Sequence, residues 1–187
     1  MVPPGGRSIR PAWMVNQHSL TGWLRAIYPH LYLSLLKITV RRPRIDEIKA
    51  LGLRHCRSVC VREVLLCSDG LPLVYATTTW SVLSKCAMAQ TLRHLGCRSI
   101  GETLFKGNNI YRSELAHMIL DSRDAILVRL SKRTGRVFNR AWGRMSVVKI
   151  NNYPIIIVEV SLNSVIDSIR PRGNQKATDR KSTQIRN

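Results

Sequence analysis

Residues 59–79 read VCVREVLLCSDGLPLVYATTT, with a run of strand-forming residues on each side of a short turn. The turn, Ser68-Asp69-Gly70-Leu71-Pro72, contains an Asp-Gly pair, and such a pair between two strand-like runs is a strong hairpin signal. Val59 to Cys67 and Leu73 to Thr79 are therefore predicted to form two antiparallel strands joined by a hairpin.

Two further segments outside this hairpin have the composition of strands. Near the end of the chain, Arg144 to Ile150 and Ile155 to Leu162 flank Asn151-Asn152-Tyr153-Pro154, which has typical turn residues. We expect a second hairpin there. Before the first hairpin, Leu31 to Val40 is also rich in strand formers, and it predicts one more strand.

Three stretches have helical features. A short helix that Ser19 or Thr21 can cap is expected to end before Pro29. Ser81 to Leu95 has helix formers with apolar residues at helical spacing and is followed by a glycine, so it predicts a helix. Ser113 to Ser131 has apolar spacings that suit one or two amphipathic helices.

Mixed blocks of strands and helices with hairpin-length connections predict an α+β fold, in which helices pack on an antiparallel β-sheet. The 187 residues suffice for a single domain with a substantial core. We expect this domain at residues 13–165, after a flexible lead-in at 1–12 and before a basic, disordered tail at 166–187. Between Arg170 and Arg186 the tail carries six basic residues and one acidic residue.

The formal net charge of +19 suggests a polyanionic partner such as nucleic acid. The sequence has no RNA-recognition aromatic motif, zinc finger or basic stripe, so a nucleic-acid-associated protein is the weaker alternative. The tail fits a solvated terminus, and nonspecific attraction to phosphates is its alternative role.

The longest apolar stretches, 31–36 and 155–160, are too short to cross a bilayer, so no membrane insertion is expected.

The cysteine pattern bears on redox state and metal binding. Five cysteines are an odd number in a chain without a secretory leader, which favours free thiols and a cytoplasmic location. His55, Cys56 and Cys60 lack a second Cys/His pair at zinc-site spacing, so no metal is expected. Nucleotide chemistry is also not expected, because the chain has no glycine-rich phosphate-binding loop.

Two charged residues interrupt apolar strands. Arg62 lies in the first strand of the central hairpin, and Glu159 lies in the last predicted strand. Alternation along a strand places Arg62 on the face of Val64 and Glu159 on the face of Ile157. Spacing alone favours solvated faces or a structural salt bridge between the two residues. The alternative is an apolar pocket that a guanidinium and a carboxylate both face, suited to a ligand with a carboxylate and a hydroxyl at opposite ends.

Several runs that occur in order along the chain carry a family resemblance. They are SLT at 19–21, REVLLCSDGLP at 62–72, LGCRSIGETLF at 95–105, WGRMS at 142–146 and PIIIVEVSL at 154–162. With these runs, the sequence resembles the chorismate pyruvate-lyase family of ubiquinone biosynthesis, from Trp13 to about Phe105 and again from Trp142 to Leu162.

The resemblance implies a chorismate lyase-like fold whose helices cover a buried ligand pocket. It also implies a cofactor-independent, monomeric carbon-oxygen lyase that converts chorismate to 4-hydroxybenzoate and pyruvate, the first committed step of ubiquinone biosynthesis. Arg62 takes the family's substrate-binding arginine position, and Glu159 takes the active-site carboxylate position. Leu20 and Ile100 stand where main-chain groups line the ligand; without the resemblance, both would be read as core residues.

The chain also departs from the family pattern. Thr77 and Met145 stand where arginines are often found, and Ser81 and Asn163 replace prolines. The region 108–140 is longer than in compact members, and we assign no site residue to it. A lyase that folds but turns over slowly is therefore one alternative.

A second alternative is a non-catalytic ligand-binding domain related to the effector-sensing domain of GntR-type transcription regulators. Such a domain is expected to follow a winged-helix DNA-binding segment. The twelve residues before Trp13 are too few for that segment, which favours the lyase.

Overall fold

The computed structural model describes residues 11–15, 19–54, 58–83, 87–101 and 110–162. Within these ranges the chain forms one seven-stranded sheet and five helices. The strands are β1 Tyr32–Arg41, β2 Val59–Ser68, β3 Leu71–Ser81, β4 Ile110–Arg112, β5 Ala116–Asp121, β6 Arg140–Ile150 and β7 Tyr153–Ser161. The helices are α1 Ala12–Val15, α2 Leu20–Ile27, α3 Ile45–Leu51, α4 Ala87–Arg93 and α5 Ala125–Thr134.

All neighbouring strands of the sheet are antiparallel, in the order β1-β2-β3-β7-β6. At the far edge, β4 and β5 pair with the two ends of β6. Both predicted hairpins are present, as β2–β3 and β6–β7. Their turn residues Asp69 and Gly70, and Asn151 and Asn152, all have positive φ, which Gly, Asn and Asp tolerate best. The predicted α+β class is confirmed.

The first predicted helix is present and the second is shorter than predicted. In α2, the Ser19 hydroxyl accepts a hydrogen bond from the Gly22 amide at 3.3 Å, and the helix ends at Ile27. The helix predicted from Ser81 to Leu95 is helical only at Ala87–Arg93 among the described residues. Ser81 instead ends β3, where it pairs with Val59, because the sheet ladder overrides a weak helix propensity.

The prediction of helices across Ser113 to Ser131 was wrong in its first half. Ala116–Asp121 forms β5 and pairs with β6, and α5 begins only at Ala125. Apolar residues at Met118, Ile119 and Leu120 do not distinguish a helix from a strand over so short a span. The free edge of β6 decides the outcome, since pairing there supplies the backbone hydrogen bonds of the segment.

The front face of the sheet is the one that carries Arg62 and Glu159. Helices α1 and α2 cover one part of it, where Trp13 and Leu24 pack in a cluster with β2 and β3 residues. Helix α4 covers another part, and Leu92 packs there against the ends of β3, β6 and β7. The front face is therefore enclosed by helices, and the two clusters leave a space between them.

Helices α3 and α5 cover the opposite, back face. Leu51 of α3 packs on Val61, and Leu127 and Leu130 of α5 pack in a cluster with Tyr75. Because helices lie on both faces, all ten residues of β2 are buried. This explains why β2 reads as a nearly continuous apolar run in place of a polar and apolar alternation.

Several sequence predictions lie outside the described residues. These are most of the lead-in at 1–12, the tail at 166–187, His55 and Cys56, the ETLF end of the third family run, and the departure at Asn163. Among the helices that the structure describes, none combines the length and the apolar composition needed to cross a membrane.

Candidate active site

A cavity of about 490 Å³, measured with its open mouth, lies on the front face between the sheet, the start of α2 and the turn at residues 99–101. Its lining includes all four residues that the sequence singled out: Leu20, Arg62, Ile100 and Glu159. Of the eleven other lining residues, five are apolar: Leu33, Val64, Leu66, Ala76 and Ile157.

Strand register explains why Arg62 and Glu159 reach the same cavity. Arg62 on β2 is paired with Thr78 on β3, which in turn is paired with Ile157 on β7. Glu159 is paired with Ala76 in the next row of the same face. Two charged residues almost a hundred positions apart in sequence therefore lie two strands and one row apart in the sheet.

Arg62 is a buried cation without an acidic partner among the described residues. Its side chain is 1% exposed, and Nη2 donates to the carbonyl oxygens of Gly96 at 2.8 Å and Arg98 at 3.0 Å. Its Nε is buried and has no hydrogen-bond partner within the described ranges. Burial lowers the pKa of the Arg62 guanidinium. An anionic ligand would supply a negative charge next to the Arg62 guanidinium and could accept a hydrogen bond from its Nε.

Glu159 is held by arginines that come from the far edge of the sheet. Nε of Arg144, the residue paired with it on β6, donates to Oε2 at 2.6 Å. Nη2 of Arg112 on β4 lies 3.5 Å from the same oxygen. Arg144 is itself buried, donates to the Trp13 carbonyl at 2.6 Å and lies over the Trp13 ring. The structural salt bridge considered between Arg62 and Glu159 is not present among the described ion pairs.

Sequence reasoning missed both arginines beside Glu159. Arg144 stands in the WGRMS run, and the alternation of β6 against β7 was a signal that could have found it. Arg112 gave no such signal, because β4 is only three residues long and lies in the region to which no site was assigned. Only the pairing of β4 with β6 brings it to the cavity.

Two departures from the family pattern lie on the back face. Thr77 and Met145 both pair with Val158, and both line a separate cavity of about 870 Å³ with its mouth included. Glu63 and Tyr75 also line that cavity, where the Tyr75 hydroxyl donates to Glu63 Oε2 at 2.9 Å. Neither Thr77 nor Met145 lines the front cavity, so these departures leave its described lining unchanged.

The chemistry of the front cavity is that of an anion site with one acidic group. Its charged lining consists of Arg62, Arg112 and Glu159, and no His, Cys, Lys or Tyr is among the described lining residues. In the same part of the chain, no group of three or more His, Cys, Asp or Glu side chains is placed to hold a metal ion. Such a cavity can bind, orient and desolvate an anionic ring.

Solved structures with a similar fold include an effector domain and the ligand-binding domain of a transcription regulator. The effector domain of PhnF from Mycobacterium smegmatis matches with a TM-score of 0.56 and 16% identity, covering 81% of this chain and 91% of that one. The ligand-binding domain of a GntR-family regulator from Bordetella bronchiseptica matches with a TM-score of 0.52 and 10% identity, covering 72% and 90%. At these identities the likeness shows the fold alone.

Sequence comparisons identify the family. The family described as "Chorismate lyase" matches residues 7–170. A "Probable chorismate pyruvate-lyase" of Thiobacillus denitrificans is 32% identical over 164 residues, covering 86% of this chain and 85% of that protein. Another, of Aromatoleum aromaticum, is 30% identical over 161 residues, covering 85% and 86%. The chain therefore belongs to the chorismate lyase family.

Proposed function

We propose that this protein is a chorismate pyruvate-lyase, which converts chorismate to 4-hydroxybenzoate and pyruvate. Family membership and the names of the relatives support the substrate. The observation that carries the proposal is the buried guanidinium of Arg62, which has no described acidic partner and shares with Glu159 a cavity that is lined by apolar and polar residues in equal number. A ring with a carboxylate at one end and a hydroxyl at the other complements this pair.

Chorismate has a ring carboxylate on C1 and a hydroxyl on C4, at opposite ends of the ring. In the proposed complex, Arg62 donates to the C1 carboxylate and Glu159 accepts a hydrogen bond from the C4 hydroxyl. Main-chain groups at Leu20 and Ile100 line the ring between them. This arrangement fixes the ring at both ends and excludes water from it, which lowers the entropic part of the barrier.

The reaction is an elimination that requires no external oxidant or reductant. The C3–O bond breaks, and its electron pair leaves with the enolpyruvyl group. The C4 hydrogen departs as a proton, and the C4–H electron pair becomes the third double bond of the aromatic ring. The enolpyruvyl group gains a proton and becomes pyruvate. Aromatisation drives the reaction, so the cavity need only bind and orient its substrate, without a cofactor.

The test is turnover of purified protein with chorismate, measured as equal amounts of 4-hydroxybenzoate and pyruvate. Arg62→Ala is expected to lower kcat/KM by about 100-fold or more, because it removes a charge-assisted interaction in a desolvated site. Arg62→Lys keeps the charge without the planar fork and is expected to retain a small part of the activity. Arg123→Gln, which removes an 89% exposed arginine, is the matched charge control.

Two results would overturn the proposal. One is the absence of both products from the folded wild-type protein. The other is wild-type activity in a folded Arg62→Ala variant, with folding checked by circular dichroism and thermal melting. If the alanine variant does not fold, wild-type activity in a folded Arg62→Lys variant would overturn the proposal instead.

A cytoplasmic, monomeric enzyme is the corresponding cellular proposal. Cys60, Cys67 and Cys97 are free thiols in the described part of the chain, as in proteins of a reducing compartment. The basic tail is proposed to contribute nonspecific attraction to polyanions and no part of the catalytic site.

A further inference from the structure

We infer that Arg112 binds the second carboxylate of chorismate, the one on the enolpyruvyl group, and thereby positions the leaving group. The inference rests on the proposed function, and it adds a substrate contact that Arg62 and Glu159 do not provide. It divides the two negative charges of the substrate between two guanidinium groups of one cavity.

Arg112 is fixed at the cavity wall beside Glu159. Its Nε donates to the Ser146 hydroxyl at 3.0 Å, and its Nη2 lies 3.5 Å from Glu159 Oε2. The side chain is 13% exposed and lines the same cavity as Arg62. Ser146 belongs to β6 and is paired with Ile157, so a central part of the sheet supports this contact. A guanidinium held in this way is preorganised for an anion.

The charge balance of the described residues leaves room for a dianion. Arg144 binds Glu159 Oε2 at 2.6 Å, nearer than Arg112, and compensates its negative charge from a position outside the cavity lining. Glu159 is the only acidic residue of the described lining. Arg62 and Arg112 then contribute two positive charges, which equals the two negative charges of chorismate.

The positions of the substituents on the ring match the positions of the side chains. The enolpyruvyl ether is on C3, next to the hydroxyl on C4, whereas the ring carboxylate is on C1. Glu159 and Arg112 are likewise neighbours, and Arg62 lies two strands from Glu159. If the C4 hydroxyl binds Glu159, the C3 substituent lies on the side of Arg112. There the guanidinium also stabilises the negative charge that develops on the departing enolpyruvyl oxygen.

The test compares chorismate with the product 4-hydroxybenzoate, which lacks the enolpyruvyl carboxylate. Arg112→Gln is expected to raise the KM for chorismate by about tenfold or more and to lower kcat as well. The Kd for 4-hydroxybenzoate, measured by isothermal titration calorimetry, is expected to stay within about twofold of the wild-type value, because the product makes no contact that needs Arg112. Arg112→Lys is expected to be intermediate, and Arg123→Gln to resemble the wild type.

The outcomes separate the possibilities. If Arg112→Gln raises the Kd for 4-hydroxybenzoate as much as the KM for chorismate, Arg112 acts only by supporting Glu159, and the inference is wrong. An unchanged KM for chorismate would overturn it too. Should the glutamine variant not fold, the lysine variant gives the same comparison of the two ligands. Failure of the wild-type protein to convert chorismate would instead reject the proposed function.

Discussion

Three arginine side chains lie near Glu159 or the cavity, and their surroundings differ. Arg62 is buried and donates only to carbonyl oxygens among the described residues. Arg144 is buried against Glu159 and the Trp13 carbonyl, so it connects β6 to α1. Arg112 lies between the hydroxyl of Ser146 and Glu159. Because guanidinium groups stay protonated at neutral pH, they bind anions, and Glu159 is the one acidic group of the described lining.

At the residue scale, Glu159→Gln is expected to reduce both stability and activity. Glutamine keeps the shape of the side chain but removes the charge that compensates the buried Arg144. Leaving a buried cation without its anion costs about 3 kcal/mol of unfolding free energy, which urea denaturation can measure. The kcat/KM for chorismate is expected to fall by about tenfold or more, because a neutral acceptor binds the C4 hydroxyl less strongly.

Glu114→Gln is the matched control for this change, since Glu114 is exposed and has the same side chain. It is expected to alter the unfolding free energy by less than about 0.5 kcal/mol. An unfolding free energy for Glu159→Gln that equals the wild-type value would contradict the role assigned to its pairing with Arg144.

The sequence made Arg62 and Glu159 conspicuous because each interrupts an apolar strand. Burying a charge in such a run is costly unless it is paired, and strand alternation indicated which neighbours share its face. The same reasoning could not reach Arg112, whose own neighbours, Tyr111 and Ser113, are not a buried run. Its role follows only from contacts with residues more than thirty positions away.

At the scale of elements, α3 shows how a buried carboxylate in the first turn stabilises a short helix. Glu47, in its first turn, is buried and accepts hydrogen bonds from the Arg44 amide at 2.9 Å and from Arg41 Nη1 at 2.7 Å. Burial raises the pKa of the Glu47 carboxyl, but the hydrogen bonds and charges of Arg41 and Arg44 outweigh it and lower the pKa below its ordinary value. The carboxylate thereby ties the start of α3 to the end of β1.

Glu47→Gln is expected to lower the unfolding free energy at pH 7 by about 2 kcal/mol, because Arg41 loses its anionic partner. The pKa of Glu47 is lower in the folded than in the unfolded state, so its stabilisation is complete above about pH 4.5 and is lost as the pH falls through the folded pKa. The difference in unfolding free energy between the wild type and Glu47→Gln should therefore become smaller at acidic pH. Urea denaturation at several pH values measures it.

Asp46→Asn serves as the control, since the Asp46 side chain is 60% exposed and its ion pair with Arg44 lies at the surface. Its expected effect is within about 0.5 kcal/mol at every pH. If the difference in unfolding free energy between the wild type and Glu47→Gln stays constant down to pH 3, protonation of Glu47 does not control this part of the stability.

At the scale of the whole molecule, the positive charge is not concentrated in the tail. Residues 166–187 contain six basic and two acidic residues, so deleting them lowers the formal charge only from +19 to +15. The remaining charge is carried by the rest of the chain, where Arg62, Arg112 and Arg144 are buried or nearly so. Three of the basic residues outside the tail therefore lie at the front cavity or beside Glu159.

Deletion of residues 166–187 is expected to leave the melting temperature within about 2 °C and kcat/KM for chorismate unchanged, because the described domain ends its last strand at Ser161. Binding to random single-stranded RNA, measured by fluorescence anisotropy at several salt concentrations, should weaken and become less salt-dependent. Salt-sensitive RNA binding that survives the deletion would instead favour a nucleic-acid-associated protein. Lost turnover would place part of the site in the tail.

The sequence by itself determined the two hairpins, the α+β class and the two residues that stand out in apolar strands. These features depend on short-range rules, since alternation, turn residues and caps act over a few positions. The tertiary structure decided that β7 pairs with β3, that residues 116–121 join β6 as a strand, and that Arg112 reaches Glu159. Those outcomes depend on which distant segments can bury their faces and satisfy their backbone groups together, and local patterns do not encode that choice.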